Sequence, residues 1–223
     1  MSNQDGRLTT TSGDPEPHGP GGEQPSLARR SGAPAWMSGY AWPPATGKVI
    51  DNPISGEHIV IRESSKQTNG ELLSFDLYLP PGGHVPARHV HPIQEERFTI
   101  VEGTMRFRLG RGTILAHPGQ TVVVPAGKPH WFGNAGRSIS HARVEVRPAL
   151  RMQEMFEETQ ALGRLGRIRG THLPPLTALA SVLLEFQREV AVPDVPASLV
   201  KAVLAPLAWM GRRARATASA AGK

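Results

Sequence analysis

The alternation of apolar and polar positions changes character twice along the chain. Between residues 48 and 147 the runs HIVIRE (58–63), ELLSFDLYL (71–79), ERFTIVEG (96–103), TMRFRLG (104–110), QTVVVPAG (120–127) and SHARVEVR (140–147) are β-branched or aromatic and roughly alternate. Period two is the signature of a strand with one buried face. Turn residues punctuate these runs at Pro80-Pro81-Gly82-Gly83, Gly110-Arg111-Gly112, His117-Pro118-Gly119 and Gly133-Asn134. Short strands at this spacing predict a mainly β fold, an antiparallel sandwich or barrel of the jelly-roll kind. The clearest expected hairpin joins ERFTIVEG to TMRFRLG at Glu102-Gly103-Thr104.

After Pro148 the period lengthens to that of helices. ALRMQEMFEETQALGRLGR sets Leu150, Met155 and Phe156 among Glu and Arg, with Gly163 and Gly166 expected to end the helix. LTALASVLLEFQREV (176–190) has apolar residues at 176, 179, 180, 183 and 184, one face of a helix. SLVKAVLAPLAWMGRRAR (198–215) is apolar nearly all round, and Pro206 is expected to interrupt it. Its apolar run falls well short of the roughly 20 residues that span a bilayer. The pattern thus divides the chain into a barrel, 48–147, a helical extension, 148–215, that covers the barrel or a dimer partner, and an unstructured tail, 216–223.

Composition separates off the start of the chain. Residues 1–47 hold 15 Gly and Pro, about a third, a level at which too little apolar surface is available to offset ordering entropy. A disordered or loosely packed leader is expected, with Trp36, Tyr40 and Trp42 marking where it meets the barrel. No apolar run follows its first charges or Arg29-Arg30, so an export signal is not expected and the predicted location is the cytoplasm. The net charge is +6, from 25 basic and 19 acidic residues spread over all segments. That spread predicts neither nucleic-acid binding nor a membrane role.

The chain contains no Cys. Disulfides, thiolate metal sites and a Cys nucleophile are therefore excluded, and a metal would have to be held by His and carboxylates. Six of the nine His fall between residues 84 and 141. On an extended segment His89 and His91 point to one face, because they are two apart. Glu96 opens the next strand and shares a face with Phe98 and Ile100, which places one acid at the mouth of an apolar cavity. His130 follows the Pro125–Pro129 turn on a separate hairpin and can supply a third imidazole. Three neutral imidazoles and one carboxylate suit Mn, Fe, Ni, Cu or Zn and leave positions open. Parity puts Phe132 on the pocket side with His130, Trp131 in outer packing, and Arg88 on the face opposite His89. His84, His117 and His141 are expected at loops or the rim.

Two stretches resemble the two motifs of the cupin superfamily. The first is glycine, five residues, His-x-His, four residues, Glu, six residues, Gly, filled by Gly83, His89, His91, Glu96 and Gly103. The second is glycine, five residues, Pro-x-Gly, two residues, His, three residues, Asn, filled by Gly119, Pro125, Gly127, His130 and Asn134. The six-residue gap to Gly103 selects Glu96 over Glu95, which parity turns away from the cavity. The resemblance covers about 48–147 and implies a single cupin barrel with one divalent transition metal held by His89, His91, Glu96 and His130. It also implies structural roles for Gly103 and Gly127 in turns with positive φ, and for Asn134 in closing the second hairpin.

The function it implies is that of a small-molecule enzyme, a dioxygenase-type oxidoreductase in which Glu96 takes a substrate hydroxyl proton. Phe98, Ile100 and Phe132 would give its pocket an apolar lining. Two alternatives remain open: Lewis-acid isomerase, cyclase or lyase chemistry at the same metal, and a non-catalytic cupin that binds or senses a ligand. A homodimer is usual for such barrels, and the apolar face within 176–210 is compatible with one.

Overall fold

The apolar runs pair across two sheets whose inner faces close on one core. The computed structural model describes residues 8–10, 47–52, 55–168 and 176–220. Ten strands and three helices follow in order: β1 Leu8–Thr10, β2 Val49–Asp51, β3 His58–Glu63, β4 Leu73–Leu79, β5 Glu95–Glu102, β6 Met105–Leu109, β7 Gly112–Ala116, β8 Gln120–Val124, β9 His130–Asn134, β10 Ser140–Arg147, α1 Met152–Ile168, α2 Leu176–Glu185 and α3 Ala197–Ala220. Seven strands form one sheet in the order β1-β8-β5-β10-β4-β3-β2, and three form the other in the order β7-β6-β9. Every pairing is antiparallel. The architecture is the mainly β jelly roll with a C-terminal helical extension that the period-two runs predict.

Alternation decides what the two sheets bury. Phe98 and Ile100 of β5, Phe75 and Leu77 of β4, and Ala142, Val144 and Val146 of β10 meet Met105, Phe107 and Phe132 of the smaller sheet. The Phe98 and Phe107 rings stand 5.1 Å apart in a T-shaped contact between the sheets, a favoured aromatic geometry. Phe156 of α1 meets Phe75 edge-on at 5.4 Å, so the first helix extends this core. Phe186, just beyond α2, is fully buried with Leu162, Ala178 and Val182.

Five local expectations require correction. β5 and β6 do not form a hairpin: β5 pairs with β8 and β10, β6 with β7 and β9. The chain crosses from one sheet to the other at Gly103, whose φ is 76°. A Cβ there would lie 2.9 Å from both the Ile139 carbonyl oxygen and the Ser140 Cα, so only glycine lets the crossing pack against the start of β10. The hairpin is β6–β7. Likewise β8 and β9 lie in different sheets, and Asn134 secures the end of β9 by donating to the carbonyls of Leu79 (2.9 Å) and Ser138 (2.7 Å). α1 runs through Gly163 and Gly166 to Ile168, the cost of each glycine, about 1 kcal/mol, being within what tertiary packing supplies. α3 runs through Pro206 without a break, whereas α2 stops at Glu185, five residues before the expected end.

Within the segment expected to be a leader, Leu8–Thr10 form β1 against the outer edge of β8. The rest of that segment, with Trp36, Tyr40 and Trp42, and the end of the tail at 221–223 lie outside the described residues. Among the described residues no helix is long and apolar enough to cross a membrane.

Candidate metal centre

The His-x-His segment lies between the two sheets and is held in extended form by β9. His89 N–H donates to the His130 carbonyl (2.9 Å) and His130 N–H to the His89 carbonyl (2.8 Å). This reciprocal bridge sets the two imidazoles side by side, with ring centroids 4.3 Å apart. His91, two residues on, faces the same way and is anchored by the Gly127 N–H on its carbonyl (2.8 Å). Glu96 enters from the inner face of β5, opposite Val124 and Val146. The ligand atoms of His89, His91, Glu96 and His130 all lie within 4.8 Å of one another. These are the four residues expected from the motif spacing.

Each imidazole is oriented by a main-chain carbonyl on its Nδ1. His89 donates to Ala87 (3.1 Å), His130 to Lys128 (3.2 Å), and His91 to Glu189 in the segment after α2. A carbonyl can only accept, so Nδ1 carries a proton in each ring, and in the neutral imidazole Nε2 offers its lone pair inward. The Nε2 atoms of His91 and His130 stand 3.2 and 3.0 Å from Glu96 Oε2. None of these three buried atoms has a hydrogen bond.

Convergent lone pairs with no donor between them are costly in a dry interior. A divalent cation satisfies all of them together, and the donor set, three imidazole nitrogens and a carboxylate oxygen, is one that transition metals accept. The residues present therefore fit a metal.

Burial and the neighbouring imidazoles push His89 down to about 3, so it is a neutral donor at ordinary pH. Burial pushes Glu96 up, but His91 and His130 outweigh it and hold the carboxyl well below its usual range. Burial likewise pushes His91 down, and the charge of Glu96 with the Glu189 carbonyl raises it above the ordinary value. The cluster thus presents an ionised carboxylate in a buried setting.

The remaining expected residues distribute as parity requires. Glu95 points outward beside Arg97 (3.2 Å) and Arg88 pairs with Asp194 (2.9 Å) at the surface. Trp131 lies on the outer side under the Arg108 guanidinium, 5.4 Å from its ring centre. Phe98, Ile100 and Phe132 all belong to the buried core. Phe132 stands 4.9 Å from Phe98 and 6.5 Å from the His130 ring.

His84 is an exposed residue of the segment before the His pair, and His117 stands in the turn after β7. His141 is no rim residue. It lies within β10, stacked on Tyr78 at 4.3 Å and 3.1 Å from buried Asp76, which also takes hydrogen bonds from Arg62 and Arg143.

Several buried polar residues were not singled out from the sequence, His58, Glu189 and Glu57 among them. His58 pairs with Asp51 at 2.7 Å across β2 and β3, on the face opposite the core. Glu189 is buried and orients His91 through its backbone, for which side-chain identity carries no signal. Glu57 is buried one residue before β3, in line with Ile59 and Ile61. Its signal was that alternation, which runs one step past the apolar stretch.

Residues 75–143 match the family model described as Cupin domain. No curated protein matches the chain. Among solved structures, it is similar to a predicted oxalate decarboxylase from Thermotoga maritima, at 20% identity and a TM-score of 0.42 over 47% of this chain and 93% of that one. It is also similar to a sugar phosphate isomerase of the cupin superfamily from Silicibacter pomeroyi, at 18% identity and 0.41 over 47% and 75%. The cupin domain of Schizosaccharomyces pombe Cnp3 is similar at 12% identity and 0.40, over 56% and 77%.

Proposed function

This chain carries a cupin domain, and we propose that it is a metal-dependent enzyme acting on a small oxygen-bearing molecule, a dioxygenase-type oxidoreductase. The observation that carries this reading is the convergence of three inward Nε2 atoms and the Glu96 carboxylate within 4.8 Å. His89, His91, Glu96 and His130 would hold one Fe, Mn, Ni, Cu or Zn ion, which would supply Lewis-acid or redox chemistry and a fixed place for the substrate oxygen. Glu96 is the base: its carboxylate takes the proton of a substrate hydroxyl, the O–H bond breaks, and the charge passes to the substrate oxygen. Phe98, Ile100 and Phe132 form the apolar floor against which an aromatic or aliphatic substrate rests, and they keep water from the reacting atoms.

The partner is the small molecule itself, and a second copy of the chain is the proposed companion in solution. Leu199, Val203 and Met210 support that pairing, since each is more than half exposed on α3.

The test is elemental analysis of purified protein together with oxygen uptake on a panel of catechols, flavonols and enediols. The expected result is about one metal per chain and oxygen consumption with at least one class. Protein that stays metal-free under every growth metal overturns the site. Loaded protein that consumes no oxygen removes the dioxygenase assignment.

A further inference from the structure

The two edges of the larger sheet are formed by strands that follow one another in the chain. β1 lies at one edge and β2 at the other, with β8, β5, β10, β4 and β3 between them. Residues 11–48 join the two and so have to pass from edge to edge. Six strand intervals of about 4.8 Å make that crossing roughly 29 Å wide, which about nine extended residues span. The inner face is closed by β7-β6-β9 and the shared core.

Burial on the outer face is lopsided. The register sets Asp51, His58, Tyr78 and His141 in one row, and Val49, Val60, Asp76 and Arg143 in the next. Over β10 and β5 this face is wet: Arg143 and Arg97 are exposed, and Val101 is 48% exposed. Over β3 and β4 it is dry, with Val60 at 1% and both His58 and Tyr78 at 4%. Asp76 is roofed by the Arg62 and Arg143 guanidiniums that bond it. Val60, between half-buried Val49 and Asp76, needs an apolar cover, because side chains in line on one face leave its outward side open.

The chain arrives at β2 beside this dry patch. Ile61 N–H donates to the Lys48 carbonyl (2.9 Å), and a Cβ on Gly47 would run into the Ile61 carbonyl oxygen. The approach is therefore pressed against β3, one residue from Val60. Every aromatic residue between positions 11 and 46 falls within 36–42. Trp42 stands seven residues before Val49, and at about 3.3 Å per residue β3 and β4 are within its reach.

We propose that residues 34–46 lie across the outer face of β3 and β4, with Trp36, Tyr40 and Trp42 packed over Val60 and the rings of His58 and Tyr78. The surface they meet is itself aromatic: the His58 and Tyr78 rings stand 5.8 Å apart, and His141 stacks on Tyr78 at 4.3 Å. The occupant is the chain's own segment, since a tether of a few residues holds it there at roughly millimolar effective concentration, which a second copy does not match. One continuous stretch then pairs with the sheet at β8 and covers it at β3 and β4.

The chain has no Cys, so a single introduced thiol reports on one place. Full-length Val60→Cys should react slowly with a thiol reagent, and adding Trp36→Ser, Tyr40→Ser and Trp42→Ser should speed it about tenfold or more. Val144→Cys, at a buried position on the inner face of β10, should stay protected with or without those three changes. Labelling of Val60→Cys that is fast from the start, or unaltered by the three changes, overturns the proposal.

If Val144→Cys opens as well, or the variants do not fold, cross-linking decides. Full-length protein carrying benzoylphenylalanine in place of Tyr40 is irradiated, and its adducts are mapped by mass spectrometry. Adducts to β3 or β4 within one chain support the proposal. Adducts elsewhere, a covalent dimer, or no adduct at all overturn it.

Discussion

His91 donates from Nδ1 to the main-chain carbonyl of Glu189, a residue 98 positions further along the chain. The contact is set by a two-way bridge in which Val90 N–H donates to the Ala191 carbonyl (3.1 Å) and Ala191 N–H to the Val90 carbonyl (2.9 Å). Glu189 is also tied to the start of α1, its carboxylate accepting from the Arg151 N–H at 3.1 Å. The segment after α2 is therefore a strap across the His-x-His segment, and it selects the tautomer of a candidate ligand. Outer partners of this kind govern how well a ligand is oriented.

Ala191→Pro removes the N–H that bonds Val90 while leaving every candidate ligand in place. Metal affinity, measured by competition with a chelator, should fall about 10- to 100-fold, as for other losses of a ligand's outer partner. Circular dichroism should still report the β fold. Unchanged affinity would show that the strap does not orient His91.

His89→Ala tests the ligand set directly. His89 is half-buried and neutral at working pH, so its removal costs the metal an imidazole without leaving a buried charge. Metal content after identical purification should drop sharply. His84→Ala, at an exposed position, should retain it. Full occupancy in His89→Ala would remove that residue from the set.

Asp76 makes stability depend on acid. Its side chain has no exposure and takes hydrogen bonds from Arg143 (2.7 Å) and Arg62, with His141 at 3.1 Å. Burial pushes its carboxyl up, but these three partners outweigh burial and hold it below the ordinary value. A carboxyl lowered by folding stabilises above its unfolded value and loses that contribution as pH falls through the folded one. Asp76→Asn should lower stability by about 2–3 kcal/mol at neutral pH. Denaturant midpoints should show the gap between variant and wild type closing toward acid, and a gap constant with pH would refute this role.

Gly103→Ala and Gly119→Ala separate two costs of a positive φ. Both glycines have it, at 76° and 83°. An added Cβ at Gly119 meets nothing within 4 Å, whereas at Gly103 it meets backbone atoms of Ile139 and Ser140 at 2.9 Å. Gly119→Ala should cost about 1 kcal/mol of conformational strain, and Gly103→Ala more, about 2–3 kcal/mol. Thermal melts of equal height for the two would mean that β10 yields at the crossing.

The alternation in β6 and β10 was legible in the sequence, because a strand's period depends only on its own side chains. So was the quartet of His89, His91, Glu96 and His130, since motif spacing is a property of the chain alone. Glu57 stood one step beyond a readable run and needed its partner strand to show which way it faced. Strand pairing was not legible: β5 and β6 are adjacent in sequence and look like a hairpin, yet Gly103 sends them into different sheets. Nor was the role of Glu189, where a backbone carbonyl meets a ligand 98 residues away. Local pattern specifies element type, facing and donor chemistry, because these arise between neighbours. Which sheet a strand joins, and which distant carbonyl orients a ligand, depend on the path of the whole chain, and many sequences share one local pattern while their paths diverge.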